Sequence, residues 1–189
     1  ETVVEVGPGL GSLTLAILEA GASVVAVEID KRLAAQLPLT VAEALEAGTS
    51  RASVDDVLTV ITEDALKVTE LPGAPTVFVA NLPYNVSVPL LVKWLKQGAR
   101  WQSLTLMFQK EVAERITAAP DTSDYGRLSV IAQACARCET VMALPARAFT
   151  PPPRIDSAVV RLTPRPDAPE PELLAALERV TQAAFGQRR

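Results

Sequence analysis

At 189 residues, with 49% hydrophobic and 21% charged side chains, the chain has the composition of a folded globular protein, enough for one domain and part of another. No apolar run reaches the roughly 18 residues of a membrane span, and the absence of histidine excludes Ser-His-Asp catalysis, Cys-His catalysis and histidine metal sites within these residues. The net charge of −4 is lopsided: residues 1–80 hold 12 acids against 4 bases and residues 96–165 hold 10 bases against 6 acids, so a polyanion can approach the later part of the chain.

TVVEV reads as a first strand, and because it follows directly on Glu1 an N-terminal segment is expected to precede this chain. The strand runs into GPGLGSLT, where Gly7, Gly9 and Gly11 let the backbone turn sharply and let a ligand approach the main chain. The helix that follows, LTLAILEAG, offers its first N–H groups. A dinucleotide fingerprint would place a glycine at position 12, and Ser12 stands there. The loop therefore suits a ligand with an amino-acid end and a nucleoside end, S-adenosylmethionine, better than a pyrophosphate.

SVVAVEI is the second strand. Glu28, at its end and 17 residues after Gly11, is placed to accept hydrogen bonds from both hydroxyls of a ribose, with Ile29 beside it to pack on adenine. DKRLAAQLPLTVAEALEAG reads as a helix and VLTVIT as a third strand, after which VITEDAL places Asp64 and Ala65 at the adenine amino group. TVFVA is a fourth strand, and SVPLLVKWLKQG, SLTLMFQ and KEVAERI continue the alternation as helix, strand and helix. This is the βαβα pattern of an open, mostly parallel α/β sheet covered on both faces, whose ligands sit beyond the carboxyl ends of the strands.

ANLPYN follows the fourth strand on that same edge. An exocyclic adenine amine is a poor nucleophile because its lone pair is delocalised into the ring. Two acceptors for its two N–H bonds, the side-chain oxygen of Asn81 and the carbonyl of Leu82, would leave the lone pair free to point at a sulfonium methyl. Pro83 restricts Leu82 to an extended conformation, and Tyr84 offers an aromatic face for an extruded base. Catalysis of this kind works by orientation and electrostatics, without a histidine base.

Beyond Arg127, RLSVIAQACA reads as a helix, and ETVMAL and IDSAVVRL as two late strands that extend the sheet as a hairpin-like edge, with AFTPPPR a stiff loop between them. PRPDAPEP, residues 164–171, is proline-rich and acidic, a linker before the helix ELLAALERVTQAAF. Cys135 and Cys138 form C-x-x-C with no further cysteine or histidine, and read as two thiols in a reducing compartment; no metal is expected.

Taken in order, GPGLGSLT, VVAVEID, EDAL, ANLPYN, QKEVAERI, YGRLSV and FTPPPRIDSAVVRL resemble the ribosomal RNA adenine dimethyltransferase family, over nearly the whole chain. The resemblance implies a Rossmann-like S-adenosylmethionine-dependent methyltransferase fold on a mostly parallel seven-stranded sheet. Its activity is dimethylation of the N6 amines of two adjacent adenosines near the 3′ end of small-subunit ribosomal RNA. Gly7, Glu28, Asp64 and Asn81 are then contacts of the cofactor, Asn81 also faces the target amine, and Phe149 stacks on the flipped adenine opposite Tyr84. Lys110, Arg115, Arg127, Arg147 and Arg154 become candidates for ribosomal RNA phosphates. The resemblance assigns residues 1–163 to the methyltransferase domain and 172–189 to the first helix of a C-terminal helical domain. The expected partner is the small ribosomal subunit during assembly, met by a monomer in the cytoplasm with no membrane role. Glu63 departs from the family, which more often has a small residue there. Two alternatives stay open: a large-subunit adenine methyltransferase of the macrolide-resistance type, which more usually carries isoleucine at position 82, and a non-catalytic RNA- or DNA-binding factor on the same fold.

Overall fold

A computed structural model describes residues 1–48, 52–71, 76–97 and 100–186. Two compact units divide the chain, Glu1–Pro83 and Tyr84–Arg189. Among the described residues there are seven strands, four in the first unit and three in the second.

In the first unit, β1 (Thr2–Val6), β2 (Ser23–Glu28), β3 (Leu58–Thr62) and β4 (Thr76–Asn81) are parallel neighbours in the order β3-β2-β1-β4. Strands buried on both faces need continuous apolar runs, and the valines of β1 and β2 supply them: Val4 and Ala26 are wholly buried and Val24 nearly so. Helices α1 (Ser12–Glu19) and α2 (Lys31–Ala47) and the single turn α3 (Val54–Val57) return the chain between the strands. Ile17 of α1 and Leu37 and Val41 of α2 join Val3, Val24, Ala26 and Leu58 in one core. Leu37 and Val41 lie four residues apart on one helix face, so a single stripe of α2 meets the sheet.

One residue of this core breaks the apolar pattern. Glu5, in the middle of β1, is 1% exposed, and the Thr14 hydroxyl on α1 donates to its carboxylate at 2.5 Å. Burial raises its pKa above the ordinary carboxylate value, and the Thr14 hydrogen bond only partly opposes this.

The second unit opens with α4 (Tyr84–Leu95), followed by β5 (Trp101–Gln109), α5 (Lys110–Thr117), α6 (Arg127–Cys135), β6 (Ala136–Leu144), a 3-10 turn (Ala146–Ala148), β7 (Ser157–Pro164) and α7 (Pro171–Phe185). The two late strands do pair with each other, but β7 lies between β5 and β6, antiparallel to both, and β6 is the outer strand. Burial explains the order: Ala158, Val160 and Leu162 of β7 are buried, whereas Val141 and Met142 of β6 are more than half exposed. The strand with the apolar face takes the inner place. β6 also begins three residues earlier than its sequence pattern indicates, because Ala136, Arg137 and Cys138 continue the ladder against Pro164, Thr163 and Leu162.

The segment after β7 stays close to its unit. Arg165 donates its backbone N–H to the carbonyl of Cys135 at 3.0 Å and pairs with Asp167 at 2.8 Å. Helix α7 starts with Pro171, whose missing N–H costs nothing at a helix start. It buries Leu174 and Thr181, pairs Glu178 with Lys96 at 2.9 Å, and sets Phe185 edge-on to Tyr125 with ring centroids 6.4 Å apart. Residues 187–189, the end of the helix read from the sequence, lie outside the described residues. Among the described residues no helix is long and apolar enough to cross a membrane.

Because the raised pKa of Glu5 favours the protonated native state, its contribution is fully present below the ordinary carboxylate pKa and is lost as pH rises through the folded value. Glu5→Gln keeps an acceptor for Thr14 without the buried charge. Its melting temperature relative to the parent should therefore rise between pH 4 and pH 7; a difference that stays flat with pH would show that Glu5 carries no such penalty.

Candidate functional site

Since β3, β2, β1 and β4 are parallel and adjacent, their carboxyl ends share one edge. The register pairs Glu28 with Thr62 and Val6 with Val27. Asp64, Glu28, the glycine loop and Asn81 therefore follow one another along this edge, one feature per strand. Strand order reverses between β2 and β4 on either side of β1, the place where open α/β sheets form a ligand crevice.

The glycine loop depends on left-handed backbone. Gly7, Gly9 and Gly11 have φ of 70°, 58° and 91°. A β-carbon at Gly7 or Gly9 would meet nothing within 4 Å, so the loop leaves open space at those positions. At Gly11 it would stand 2.8 Å from Cδ1 of the core residue Leu37. All three glycine N–H groups are committed internally, Gly7 to the carbonyl of Val27 at 2.9 Å, Gly11 to that of Pro8 at 2.9 Å, and Gly9 to a carboxylate oxygen of Glu28 at 3.2 Å. The groups left to meet a ligand are the first-turn N–H groups of α1, which have no partner within their own helix.

Glu28 is 5% exposed, and the sequence reading missed half of its work. Besides holding Gly9, it accepts the N–H of Asp30 at 2.9 Å through its other oxygen. One carboxylate thus fastens the glycine loop to the start of α2. A carboxylate offers about four acceptor positions, so two backbone bonds leave capacity for ribose hydroxyls. Ile29 beside it is 68% exposed, an apolar surface suited to a flat ring. Asp30 caps α2 by accepting the N–H of Arg32 at 2.8 Å, and its hydrogen bonds with Arg32 hold its carboxyl down to about 2.

Asp64 is half-buried and accepts the N–H of Leu66 at 2.9 Å, with Ala65 in the same turn. Glu63 has a local use: its carboxylate accepts the N–H of Asp64 at 2.9 Å, and its own N–H donates to the carbonyl of Glu28 at 3.1 Å. Asn81 is exposed at the end of β4, whereas the Leu82 side chain is 2% exposed and anchors the turn. Pro83 is exposed.

Tyr84 begins α4, three residues before the helix read from the sequence, so ANLPYN is a strand-to-helix turn. Its hydroxyl lies 2.8 Å from that of Ser157, a residue the sequence reading passed over. Phe149 is half-buried on the loop of residues 145–156, just past the 3-10 turn, whose bonds include Phe149 N–H to the carbonyl of Ala146 at 3.2 Å. Asp156 closes this loop: its carboxylate accepts the N–H of Ala146 and its carbonyl that of Lys110, both at 2.9 Å.

Arg147 and Arg154 are exposed on the same loop as Phe149. Arg115 and Arg127 line a cavity of about 720 Å³ with Tyr125, Leu128 and Phe185. Lys110 and Arg115 pair with Glu114 and Glu111 of their own helix, exposed i,i+4 pairs that cost little to give up for a phosphate. Burial pushes the Cys135 and Cys138 thiols up to about 11 and about 12, which leaves both inert as nucleophiles near neutral pH.

The family model for ribosomal RNA adenine dimethylase matches residues 1–189. The chain belongs to that family. Two relatives, each called ribosomal RNA small subunit methyltransferase A, come from Phenylobacterium zucineum (55% identical over 192 residues, 100% of this chain and 64% of the relative) and Caulobacter vibrioides (56% over 191 residues, 100% and 70%). The chain spans about two thirds of their length. Among solved structures, a dimethyladenosine transferase from Plasmodium falciparum superposes with a TM-score of 0.78 at 28% identity, covering 100% of this chain and 64% of that one. The 23S rRNA methyltransferase ErmE gives 0.71 at 30% identity, covering 98% and 70%. Both are methyltransferases, and the likeness supports the α/β sheet expected from the strand pattern and the Rossmann-like methyltransferase fold implied by the resemblance.

Gly11→Ala would require a left-handed alanine and push into Leu37, so it should destabilise the fold by about 2 kcal/mol. Urea titration checks this; a midpoint equal to that of the parent would mean the loop relaxes freely.

Proposed function

We propose that the protein transfers methyl groups from S-adenosylmethionine to the N6 amines of two adjacent adenosines near the 3′ end of small-subunit ribosomal RNA, giving N6,N6-dimethyladenosine during ribosome assembly. The observation that carries the reading is the sequence of groups along one strand edge, Asp64, Glu28, the glycine loop and Asn81, with Tyr84 three residues beyond.

The cofactor fits this edge by the chemistry of its donor set: open space at Gly7 and Gly9, a buried carboxylate with acceptor capacity at Glu28, an exposed apolar side chain at Ile29 and a second carboxylate at Asp64. When bound, it supplies an electrophilic methyl group on sulfur. Glu28 accepts the ribose hydroxyls, Ile29 covers the adenine, and Asp64 beside Ala65 accepts from the adenine amine. Gly7 and Gly9 make room for the amino-acid end, and Gly11 lets the loop that receives it close on Leu37.

The substrate half works by orientation. Asn81 Oδ1 and the Leu82 carbonyl take the two N–H bonds of the target amine, which leaves its lone pair directed away from the ring. Tyr84 and Phe149 stack on the two faces of the extruded base, and Pro83 holds the turn. Attack on the methyl carbon breaks its bond to sulfur and releases S-adenosylhomocysteine, and the positively charged amine that results is acidic enough to lose its proton to water, so the absence of histidine is no obstacle. Lys110, Arg115, Arg127, Arg147 and Arg154 take phosphates of the surrounding RNA, and Arg147 and Arg154 are the best placed because they share a loop with Phe149.

In the same reading residues 1–163 form the methyltransferase domain, 164–171 a linker, and α7 opens a helical domain. The partner is a small-subunit assembly intermediate, and the protein works as a cytoplasmic monomer.

Labelled S-adenosylmethionine, offered with unmethylated small subunits and separately with naked large-subunit RNA, tests the reading. Dimethyladenosine at adjacent small-subunit positions is expected; label in the large-subunit RNA, or cofactor binding with no label in either, would overturn it. In the same assay Asn81→Ala should abolish transfer without altering the melting temperature, and near-normal turnover would remove Asn81 from the mechanism. By calorimetry, Glu28→Ala should weaken cofactor binding by about 1–3 kcal/mol; an unchanged affinity would take Glu28 out of the site.

A further inference from the structure

Tyr84 and Ser157 are 73 positions apart in sequence, yet their hydroxyls share a hydrogen bond of 2.8 Å. Stacking on a base needs only an aromatic face, which phenylalanine provides as well as tyrosine. The hydroxyl of Tyr84 therefore has some other use. Ser157 poses the matching question, because it is 1% exposed and opens the strand sequence SAVV, where alanine would fill the same space without burying a polar group.

The serine end of this pair is built into the sheet. Ser157 is paired with Gln109 of β5 on one side and with Leu144 of β6 on the other, and the residue before it is tied down through the bonds of Asp156 to Lys110 and Ala146. The tyrosine end sits on the first residue of α4, where no earlier helical turn packs against the side chain. The Ser87 hydroxyl, itself buried, donates to the Tyr84 carbonyl at 3.0 Å and fixes the backbone. That leaves the side-chain torsions, and a bond at the far end of the ring removes their freedom. The ring is held at both ends, and the residue as a whole is half-buried.

We propose that Ser157 is a positioning residue for base recognition: its hydroxyl holds the Tyr84 ring in the orientation in which it stacks on the target adenine. The inference rests on reading Tyr84 as the platform for that base. Small errors of placement are costly in a reaction driven by orientation, so the loss should fall on turnover and leave cofactor binding unchanged.

The test uses the full-length protein, unmethylated small ribosomal subunits and the variants Tyr84→Phe, Ser157→Ala, the double variant, Ser157→Thr and Tyr84→Ala, with melting temperatures alongside. Tyr84→Phe and Ser157→Ala should each lower kcat about fivefold to tenfold, with KM for subunits and cofactor affinity unchanged. The double variant should fall no further than either single one, because both remove the same bond, and Ser157→Thr should recover most of the rate. Near-parental turnover in both single variants while Tyr84→Ala is inactive would overturn the anchoring and leave the platform standing. Losses that multiply in the double variant would also overturn the anchoring. Near-parental turnover in Tyr84→Ala would instead sink the platform reading beneath it. Should Ser157→Ala fail to fold, Tyr84→Phe, which keeps the packed ring, decides the matter alone.

Discussion

The buried carboxylate of Glu28 is the constraint from which the first unit's functional edge takes its shape. Its two oxygens hold the N–H groups of Gly9 and Asp30, and the carbonyl of the same residue receives the N–H of Glu63. The end of β2 is thereby joined to the glycine loop, to the start of α2 and to the turn after β3. The glycine loop and the turn after β3 carry groups read as cofactor contacts, and Ile29 lies just before α2, so the mutual spacing of these groups is set through one side chain and one peptide unit. A carboxylate in this position is costly to bury, and the two backbone bonds are what make it tolerable.

The aromatic side of the chain uses a hydroxyl pair beside a carboxylate-to-backbone bond. The loop that carries Phe149 is closed at its base by Asp156, and the next residue, Ser157, reaches Tyr84. Two adjacent residues at the entry to β7 therefore hold the Tyr84 ring and the loop that carries Phe149. The inner place of β7 makes this possible, since a strand with neighbours on both sides gives a firmer support than the outer strand β6.

Much of the first unit was legible because its signals are local. Valine runs mark strands buried on both faces, and the G-x-G-x-G spacing marks backbone that must turn left-handed, as φ at Gly7, Gly9 and Gly11 bears out. Glu28 and Asp64 could be singled out because one ends a strand and the other stands just past the end of the next. What stayed hidden depends on distant partners or on burial. Glu5 looks like an ordinary strand acid until Thr14 and its exclusion from water are seen, although an acid in the middle of TVVEV was a usable signal. Ser157 gave none, because its partner is 73 residues away. The inner position of β7 was equally unreadable, since two antiparallel strands of similar pattern do not announce which lies inside. The start of α4 at Tyr84 was missed because Pro83 reads as the end of an extended segment and equally suits the residue before a helix.

The contact between Gly11 and Leu37 also bears on how a ligand is received. With every glycine N–H of the loop already bonded within the protein and Gly11 seated against a core side chain, the loop is a standing mould, whose shape persists for as long as the core does. A ligand entering it meets little ordering cost on the protein side, so the entropy lost on association falls mainly on the ligand's own torsions. Under the proposed reading, stiffening a ligand in its bound shape would then raise affinity more than stiffening the loop.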